Sequence, residues 1–183
     1  MSMGWSDIPT GNSYSNNNIF LYLKDGESVT MRLLGKLHYF KKYFIYSPSF
    51  KSAVCLDEDT CPVATTHNIR PTLRFAINVL DRRDNKIKVF EQSEYIFKNF
   101  KTFYEKTGRN PGGSNGAEFK ISVSGVGKDK RYKVTFVGPH SLTEEDVSLI
   151  KSKGLHDLKK IYVATDPSKI EEILFGYKAS IDI

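Results

Sequence analysis

The sequence contains few of the features that mark membrane or secreted proteins. It has no apolar run close to the roughly 18 residues that a membrane-spanning helix needs, which excludes an integral helical membrane protein. Residues 1–18 contain no Lys or Arg and no apolar stretch, so we expect no secretory or transit peptide. The only two cysteines, Cys55 and Cys61, cannot build a disulfide framework. We therefore expect a reduced, cytoplasmic protein that does not bind membranes.

Acidic side chains are scarce in the first three quarters of the chain. Residues 1–138 carry 21 basic and 13 acidic side chains, a net charge of +8, whereas residues 139–183 carry 6 and 8, a net charge of −2. A basic body favours contact with a polyanion such as nucleic acid, although many basic domains bind none.

Apolar and polar residues alternate with period two in several segments, which is typical of half-buried strands. These segments begin near Ser28, Leu73, Lys86, Glu118 and Arg131. A helical apolar stripe covers 93–106, with Ser93 as a possible N-cap and Gly108 at its end. Further helices are expected after Thr143, near 156–162, and from Pro167 to Gly176.

This order of elements predicts a mainly β protein with C-terminal helices. The strands fit a five-stranded OB-fold barrel with an irregular insert over about 48–70. We expect three parts: a flexible arm over 1–18, an OB-fold core over 19–138, and a helical segment over 139–183 that packs on the core or extends it.

Strand alternation predicts which side chains fill the barrel. The expected interior residues are Val29, Met31, Leu33, Phe75, Ile77, Val79, Ile87, Val89, Phe119, Ile121, Val123, Tyr132, Val134 and Phe136. The opposite positions carry one acid, Glu118, and many cations, which predicts a continuous basic surface. The expected phosphate contacts are Arg32, Lys36, Lys41, Lys42, Arg74, Lys86, Lys88, Arg131 and Lys133.

An aromatic and basic run, HYFKKYFIY, covers residues 38–46. Exposed rings beside lysines form a platform on which unpaired bases stack, although some of these rings could instead seal the core against residues 48–70. The expected stacking residues are Tyr39, Tyr43, Phe44 and Phe90. No helix rich in Arg, Asn or Gln suits readout of a duplex major groove, so the pattern favours single strands.

Several segments, in this order, resemble the single-stranded DNA-binding proteins of tailed phages of the T-even type. They are FLYLKDGESVTMRLLG (20–35), HYFKKYF (38–44), VCLDEDTCPV (54–63), LRFAINVLD (73–81), KIKVFEQSEYIFKNF (86–100) and GAEFKISVSG (116–125). The resemblance implies an OB-fold core, an insert that holds zinc in many members, and non-specific binding of single-stranded DNA in phage replication, recombination and repair. It also implies phage replication or recombination proteins as partners and the cytoplasm of the infected host cell as the location.

The chain departs from that family at the zinc site. Cys55 and Cys61 match two of the family's three cysteines and His38 matches its histidine, but Ala64 stands at the last position and cannot ligate. His67 could substitute and complete a tetrahedral set for Zn²⁺. The alternative is a relic site with two reduced thiols and no cofactor. The family's basic N-terminal arm and long acidic tail are also unmatched, so we expect a monomer or weak self-association.

Two other functions are compatible with parts of the sequence. Asp81, Asp84, Glu118 and Lys120 could form the Mg²⁺ site of a nuclease that acts on single strands, although acids are ordinary residues in a hairpin turn. A protein-docking module could instead use the basic surface to bind an acidic partner. We expect no catalysis, because no nucleophile motif or glycine-rich phosphate loop is present.

Overall fold

A computed structural model describes residues 19–176 of the chain, so the expected arm over 1–18 lies outside the described residues. The strands in this range are β1 Ser28–Ile45, β2 Lys51–Cys55, β3 Thr72–Asp81, β4 Lys86–Ser93, β5 Ala117–Ser124 and β6 Arg131–Pro139. The α-helices are α1 Pro62–Thr65, α2 Glu94–Thr107, α3 Glu144–Lys153, α4 Leu158–Ile161 and α5 Pro167–Phe175. None of the helices within 19–176 is long and apolar enough to cross a membrane.

The strands form one antiparallel sheet, which confirms the mainly β prediction with C-terminal helices. The hydrogen-bonded order is β4-β3-β1-β5-β6, and β2 pairs with the end of β1. The sheet therefore has six strands where the sequence predicted five, because part of the insert adds a strand of its own. The path is open, with β4 and β6 at its ends among the described strands, so the closed OB-fold barrel is not established.

The described chain divides into two compact units. The larger unit contains residues 19–40 and 73–162, and the smaller unit contains residues 41–72 and 163–176. Strand β1 contributes residues to both. The irregular insert expected over about 48–70 belongs to the smaller unit, where it holds β2 and α1.

The core of the larger unit follows the expected alternation along β1 and β5. Its buried residues include Val29, Met31, Leu33, Phe119, Ile121 and Val123 from these strands and Ile96, Phe97 and Phe100 from α2. Burial of each such side chain contributes about 1.5–3 kcal/mol of transfer free energy. The apolar stripe of α2 therefore covers the sheet, as its spacing predicts.

The predicted faces of β4 are wrong. Ile77 of β3 pairs with Phe90, and Val79 pairs with Lys88. Directly paired residues share a face, so Phe90 and Lys88 lie on the core side and Val89 lies on the other side. A shift of one residue in register exchanges the two faces of a strand.

The second face of β3 and β4 is also covered. The Asn78 amide donates to the carbonyl of His156, and the His156 N–H donates back to the Asn78 side-chain oxygen, at 3.0 and 2.9 Å. Val89, on the same face as Asn78, is 0% exposed, and its backbone N–H and C=O pair at the free edge of β4 with the segment around Phe20. Both faces of β3 are therefore buried from Ala76 onward, which hides the simple alternation of a half-exposed strand.

The helix ends follow local chemistry. Helix α2 has Ser93 at its N-cap and ends at Gly108, whose φ of 68° is left-handed. Helix α3 begins with a capping box in which Thr143 and Asp146 satisfy each other's backbone N–H groups. These ends are the ones that the sequence predicts.

Helix α5 closes the core of the smaller unit. Ile170 and Leu174 are buried there with Tyr43, Ala53, Cys55, Cys61 and Val63. The unit is therefore built from two stretches of chain, one that contains β2 and α1 and one that contains α5.

Candidate nucleic-acid interface

The thirteen residues that the sequence predicts as nucleic-acid contacts fall into three groups by burial. The exposed ones are Lys36, Tyr39, Lys41, Lys86, Arg131 and Lys133. The half-buried ones are Lys42, Phe44, Arg74 and Lys88. The buried ones are Arg32, Tyr43 and Phe90.

Arg32 does not reach solvent, which contradicts its predicted role as a phosphate contact. Its side chain is 0% exposed, and its guanidinium donates to the backbone carbonyls of Gly113, Ser114 and His140. The position faces away from the core as predicted, but the loop before β5 and the residues after β6 cover it. Arg32 is a structural cation that holds these two segments.

Tyr43 and Phe90 are buried and cannot stack on bases as they lie, which corrects a second part of the prediction. Phe90 packs 5.9 Å from Phe97 inside the core of the larger unit. Tyr43 lies in the core of the smaller unit, where its hydroxyl accepts a hydrogen bond from the Cys55 thiol at 3.6 Å.

Several of the predicted cationic side chains form ion pairs with carboxylates. Lys88 donates to Asp81 and Asp84 at 2.7 and 2.8 Å. Burial alone would raise the pKa of Asp81, but hydrogen bonds from Arg83 and Lys88 outweigh it and lower this pKa to about 2. Lys88 is therefore committed to this carboxylate pair.

Arg74 and Lys41 are also paired with acids. Arg74 contacts Glu91 at 3.2 Å in the larger unit, and Lys41 contacts Glu58 at 2.6 Å in the smaller unit. The ion pair between Lys41 and Glu58 is exposed, and such pairs exchange readily with solvent and contribute little stability. Lys41 can therefore still turn to another anion.

An apolar cavity of about 370 Å³ lies in the larger unit. It is bounded by β1, β3, α2 and the loop that follows α2. Its lining residues include Leu33, Leu37, Ile77, Phe97, Phe100, Lys101 and Tyr104. Leu37, Lys101 and Tyr104 are exposed at its rim, so the cavity combines an apolar floor with an edge that bears a cation and a phenol.

A row of rings leads from the surface to this cavity. Tyr39 is 71% exposed, and its ring centroid lies 6.5 Å from that of Phe75. Phe75 in turn lies 5.5 Å from Phe97, which lines the cavity. The row offers an open aromatic surface at one end and a protected one at the other.

A basic face lies on β5 and β6. Register places Ser122 opposite Lys133 and Ser124 opposite Arg131, while Lys120 lies opposite Thr135. Paired residues share a face, so Lys120, Lys133 and Arg131 point to the same side of the sheet, and all three are exposed. On this face of β5 and β6, the predicted basic surface is present.

The smaller unit carries its own exposed aromatic group, which we call the ring cluster. Phe44, Tyr46 and Phe50 have centroids 5.6–6.5 Å apart, and the Lys42 ammonium lies 5.6 Å from the Phe44 centroid. Tyr46 is 70% exposed. Such a cluster suits stacking and cation–π contacts.

The four residues predicted as zinc ligands do not form one ligand set. His67 contacts Glu171 at 2.7 Å, and His38 packs beside the stacked rings of Phe40 and Tyr162. Across the described residues, no group of three or more His, Cys, Asp or Glu side chains could hold a metal ion. Burial also raises the pKa of the Cys55 thiol, which favours the protonated form that binds metals poorly.

The carboxylates of the predicted nuclease site are held by arginine and lysine. Glu118 accepts from Arg82 at 2.6 Å, and Arg82 also donates twice to Asp146. Asp81 accepts from Arg83 and Lys88. These contacts belong to structural ion pairs rather than to an open Mg²⁺ site.

Several residues of the apolar cavity and the ring cluster were not predicted as contacts. The periodicity places Tyr104 in the apolar stripe of α2, but its side chain is 55% exposed at the rim of the apolar cavity. Phe50 follows a Ser-Pro-Ser turn and has no periodic signal. Its proximity to Phe44 arises from the pairing of β1 with β2.

No protein-family model matches the chain, and no curated protein matches it either.

Proposed function

We propose that this protein binds single-stranded DNA without sequence preference, and that the apolar cavity of the larger unit and the row of rings beside it receive the bases. The observation that carries the proposal is this aromatic opening on a strongly basic unit. We further propose that the sheet of the larger unit is of the OB-fold type that the strand order suggests.

Positive charge is concentrated in the larger unit, which contains the apolar cavity. The larger unit carries 21 basic and 13 acidic side chains, a net charge of +8, whereas the described residues of the smaller unit carry 5 and 6. A net charge of this size attracts a polyanion over a distance of about 8–10 Å at physiological salt. Phosphate contacts of this kind favour every sequence equally.

The rings favour unpaired bases over a duplex. Tyr39 presents an open ring face, and Leu37 and Tyr104 extend the apolar rim of the cavity. In a duplex the faces of the bases are stacked on one another and are not available to such rings. The basic face on β5 and β6 gives the strand's phosphates a second contact area within the same unit.

The ring cluster of the smaller unit offers a separate place for unpaired bases. Its rings lie beside Lys42, and stacking on them does not depend on base identity. Because the described part of this unit has no excess of positive charge, we assign the main affinity to the larger unit.

The proposal includes the setting that the resemblance implies. A coat protein of this kind protects single strands during phage replication, recombination and repair in the infected cell, and it meets other replication proteins there. We propose no catalytic activity, since the candidate carboxylates are engaged by arginine and lysine.

The test compares two tyrosines of equal exposure. Tyr39 and Tyr95 are 71% and 73% exposed in the same unit, but Tyr39 belongs to the row of rings that leads to the apolar cavity, whereas Tyr95 lies in the first turn of α2 and is not part of that row. A lost stack costs about 1–3 kcal/mol, so Tyr39→Ala should weaken binding of oligo(dT) about 5- to 150-fold and Tyr95→Ala should not. Fluorescence anisotropy measures both.

Two results would contradict the proposal. One is equal affinity of Tyr39→Ala and Tyr95→Ala for oligo(dT). The other is binding of a duplex as tight as that of a single strand at the same salt concentration, because a stacking site requires unpaired bases.

A further inference from the structure

A second cavity, of about 620 Å³, lies in the larger unit beside the apolar one, and we call it the polar cavity. Its wall includes Arg109, Asn110, Gly113, Ser114, Asn115 and Ser141. The two cavities share Asn110 and Gly112 as wall residues. The polar cavity was not predicted, because its walls come from the loop before β5 and the residues after β6.

The chemistry of the wall favours an anion. Among the described residues, no carboxylate lines the polar cavity, whereas a guanidinium, two serine hydroxyls and two side-chain amides do. All of these groups can donate hydrogen bonds. Gly113 has a φ of 80° and no atom within 4 Å of the place where a Cβ would stand, so a ligand can approach the backbone there.

The buried Arg32 strengthens this preference. Its guanidinium engages the carbonyl oxygens of Gly113, Ser114 and His140, so these acceptors are directed to Arg32. The nearby carboxylates Glu118 and Asp146 are held by Arg82. The wall therefore offers donors to a ligand while its principal acceptors are already occupied.

We infer that the polar cavity binds a phosphate group. Since the apolar cavity next to it suits a base, the pair of cavities matches the two chemically different parts of one nucleotide. Arg109, which is exposed at the rim, supplies the charge-assisted hydrogen bonds. The assignment of this cavity as a subsite for DNA rests on the proposed function. The assignment as a phosphate site depends only on the residues that line the cavity.

The first experiment uses inorganic phosphate with the full chain. Amide signals of Gly113, Ser114 and Asn115 in ¹⁵N NMR spectra should shift saturably with phosphate and remain in place with sodium chloride of equal ionic strength. The shifts should disappear in Arg109→Ala and persist in Lys106→Ala, a nearby exposed cation outside the lining. Absence of phosphate-specific shifts, or equal shifts in both variants, would overturn the inference.

The second experiment identifies the source of the phosphate. Arg109→Ala should weaken oligo(dT) binding about tenfold and reduce the slope of log affinity against log salt by about 0.7, with little change in Lys106→Ala. A terminal phosphate is the ligand if only 5′-phosphorylated oligonucleotides respond to the substitution, and an internal phosphodiester is the ligand if unphosphorylated ones respond equally. If wild-type protein binds phosphate but no oligonucleotide, the proposed function fails and the phosphate site remains.

Discussion

The ion pair between Arg82 and Asp146 is expected to make stability depend on pH in a defined way. Both Arg82 terminal nitrogens donate to Asp146, at 2.6 and 2.9 Å, and Asp146 also accepts from the backbone N–H of Thr143. The hydrogen bonds from Arg82 contribute most to lowering the pKa of Asp146 from 3.8 to about 2. The carboxylate is buried, so solvent screens these contacts little.

The magnitude follows from the shift in pKa. A pKa unit corresponds to about 1.4 kcal/mol, so the charged form of Asp146 contributes about 2.4 kcal/mol to the free energy of unfolding near pH 7. The folded pKa is the lower one, so this stability is present above the unfolded pKa and is lost as the pH falls toward 2. By the linkage relation, about 1.3 kcal/mol of this contribution to the free energy of unfolding remains at pH 3.

Urea denaturation of Asp146→Asn, followed by circular dichroism, measures this contribution. The variant should be about 2.4 kcal/mol less stable than the wild type at pH 7 and about 1.3 kcal/mol less stable at pH 3. Glu145→Gln removes an equal charge from the same turn of α3, but its side chain is exposed, so it should stay within about 0.5 kcal/mol. A deficit for Asp146→Asn that does not change between the two pH values would refute the assignment of the stability to the ionised carboxylate.

Two further substitutions test the fold. Arg32→Met should lower the free energy of unfolding by about 3 kcal/mol or more in urea, because the hydrogen bonds of the buried guanidinium to three backbone carbonyls are lost at about 1–3 kcal/mol each; unchanged stability would contradict its structural role. Gly125→Ala should cost about 1–3 kcal/mol, since φ is 81° and a Cβ would lie 2.5 Å from a backbone oxygen. Gly138→Ala, with open space around it, should stay within about 0.5 kcal/mol by the same assay, and similar losses in both would argue against this strain.

The features that sequence reasoning predicted correctly depend on short-range chemistry. Helix α2 ends at Gly108 because a left-handed residue closes its last turn, and α3 begins after Thr143 because the capping box with Asp146 acts within one turn. The inward positions of β1 and β5 follow from pleating, which needs only the neighbouring residues.

The faces of β4 could not be predicted in this way. Its two faces both carry apolar residues, Val89 on one and Phe90 on the other, and both are buried. Which of them meets the core depends on pairing with β3 and on the segment around His156 that lies on the second face. Alternation gives no signal when both faces of a strand are covered.

The candidate site was predicted only in part for a related reason. Tyr39 and Tyr43 occupy equivalent positions of one strand, yet Tyr39 is exposed in the larger unit and Tyr43 is buried in the smaller one. Ile170 and Leu174 of α5, more than a hundred residues away, help to enclose Tyr43. Arg32 is likewise covered by residues distant in sequence, so its outward position did not mean access to DNA.

The discontinuous make-up of the smaller unit affects how the protein can be shortened. Val63 and the two cysteines are enclosed together with side chains from a helix that the chain reaches about a hundred residues later. A truncation before residue 163 would therefore expose an apolar surface around Val63 rather than remove a dispensable end. During synthesis, residues 41–72 cannot complete this core until that helix has been synthesised. A fragment that stops earlier is expected to be prone to aggregation.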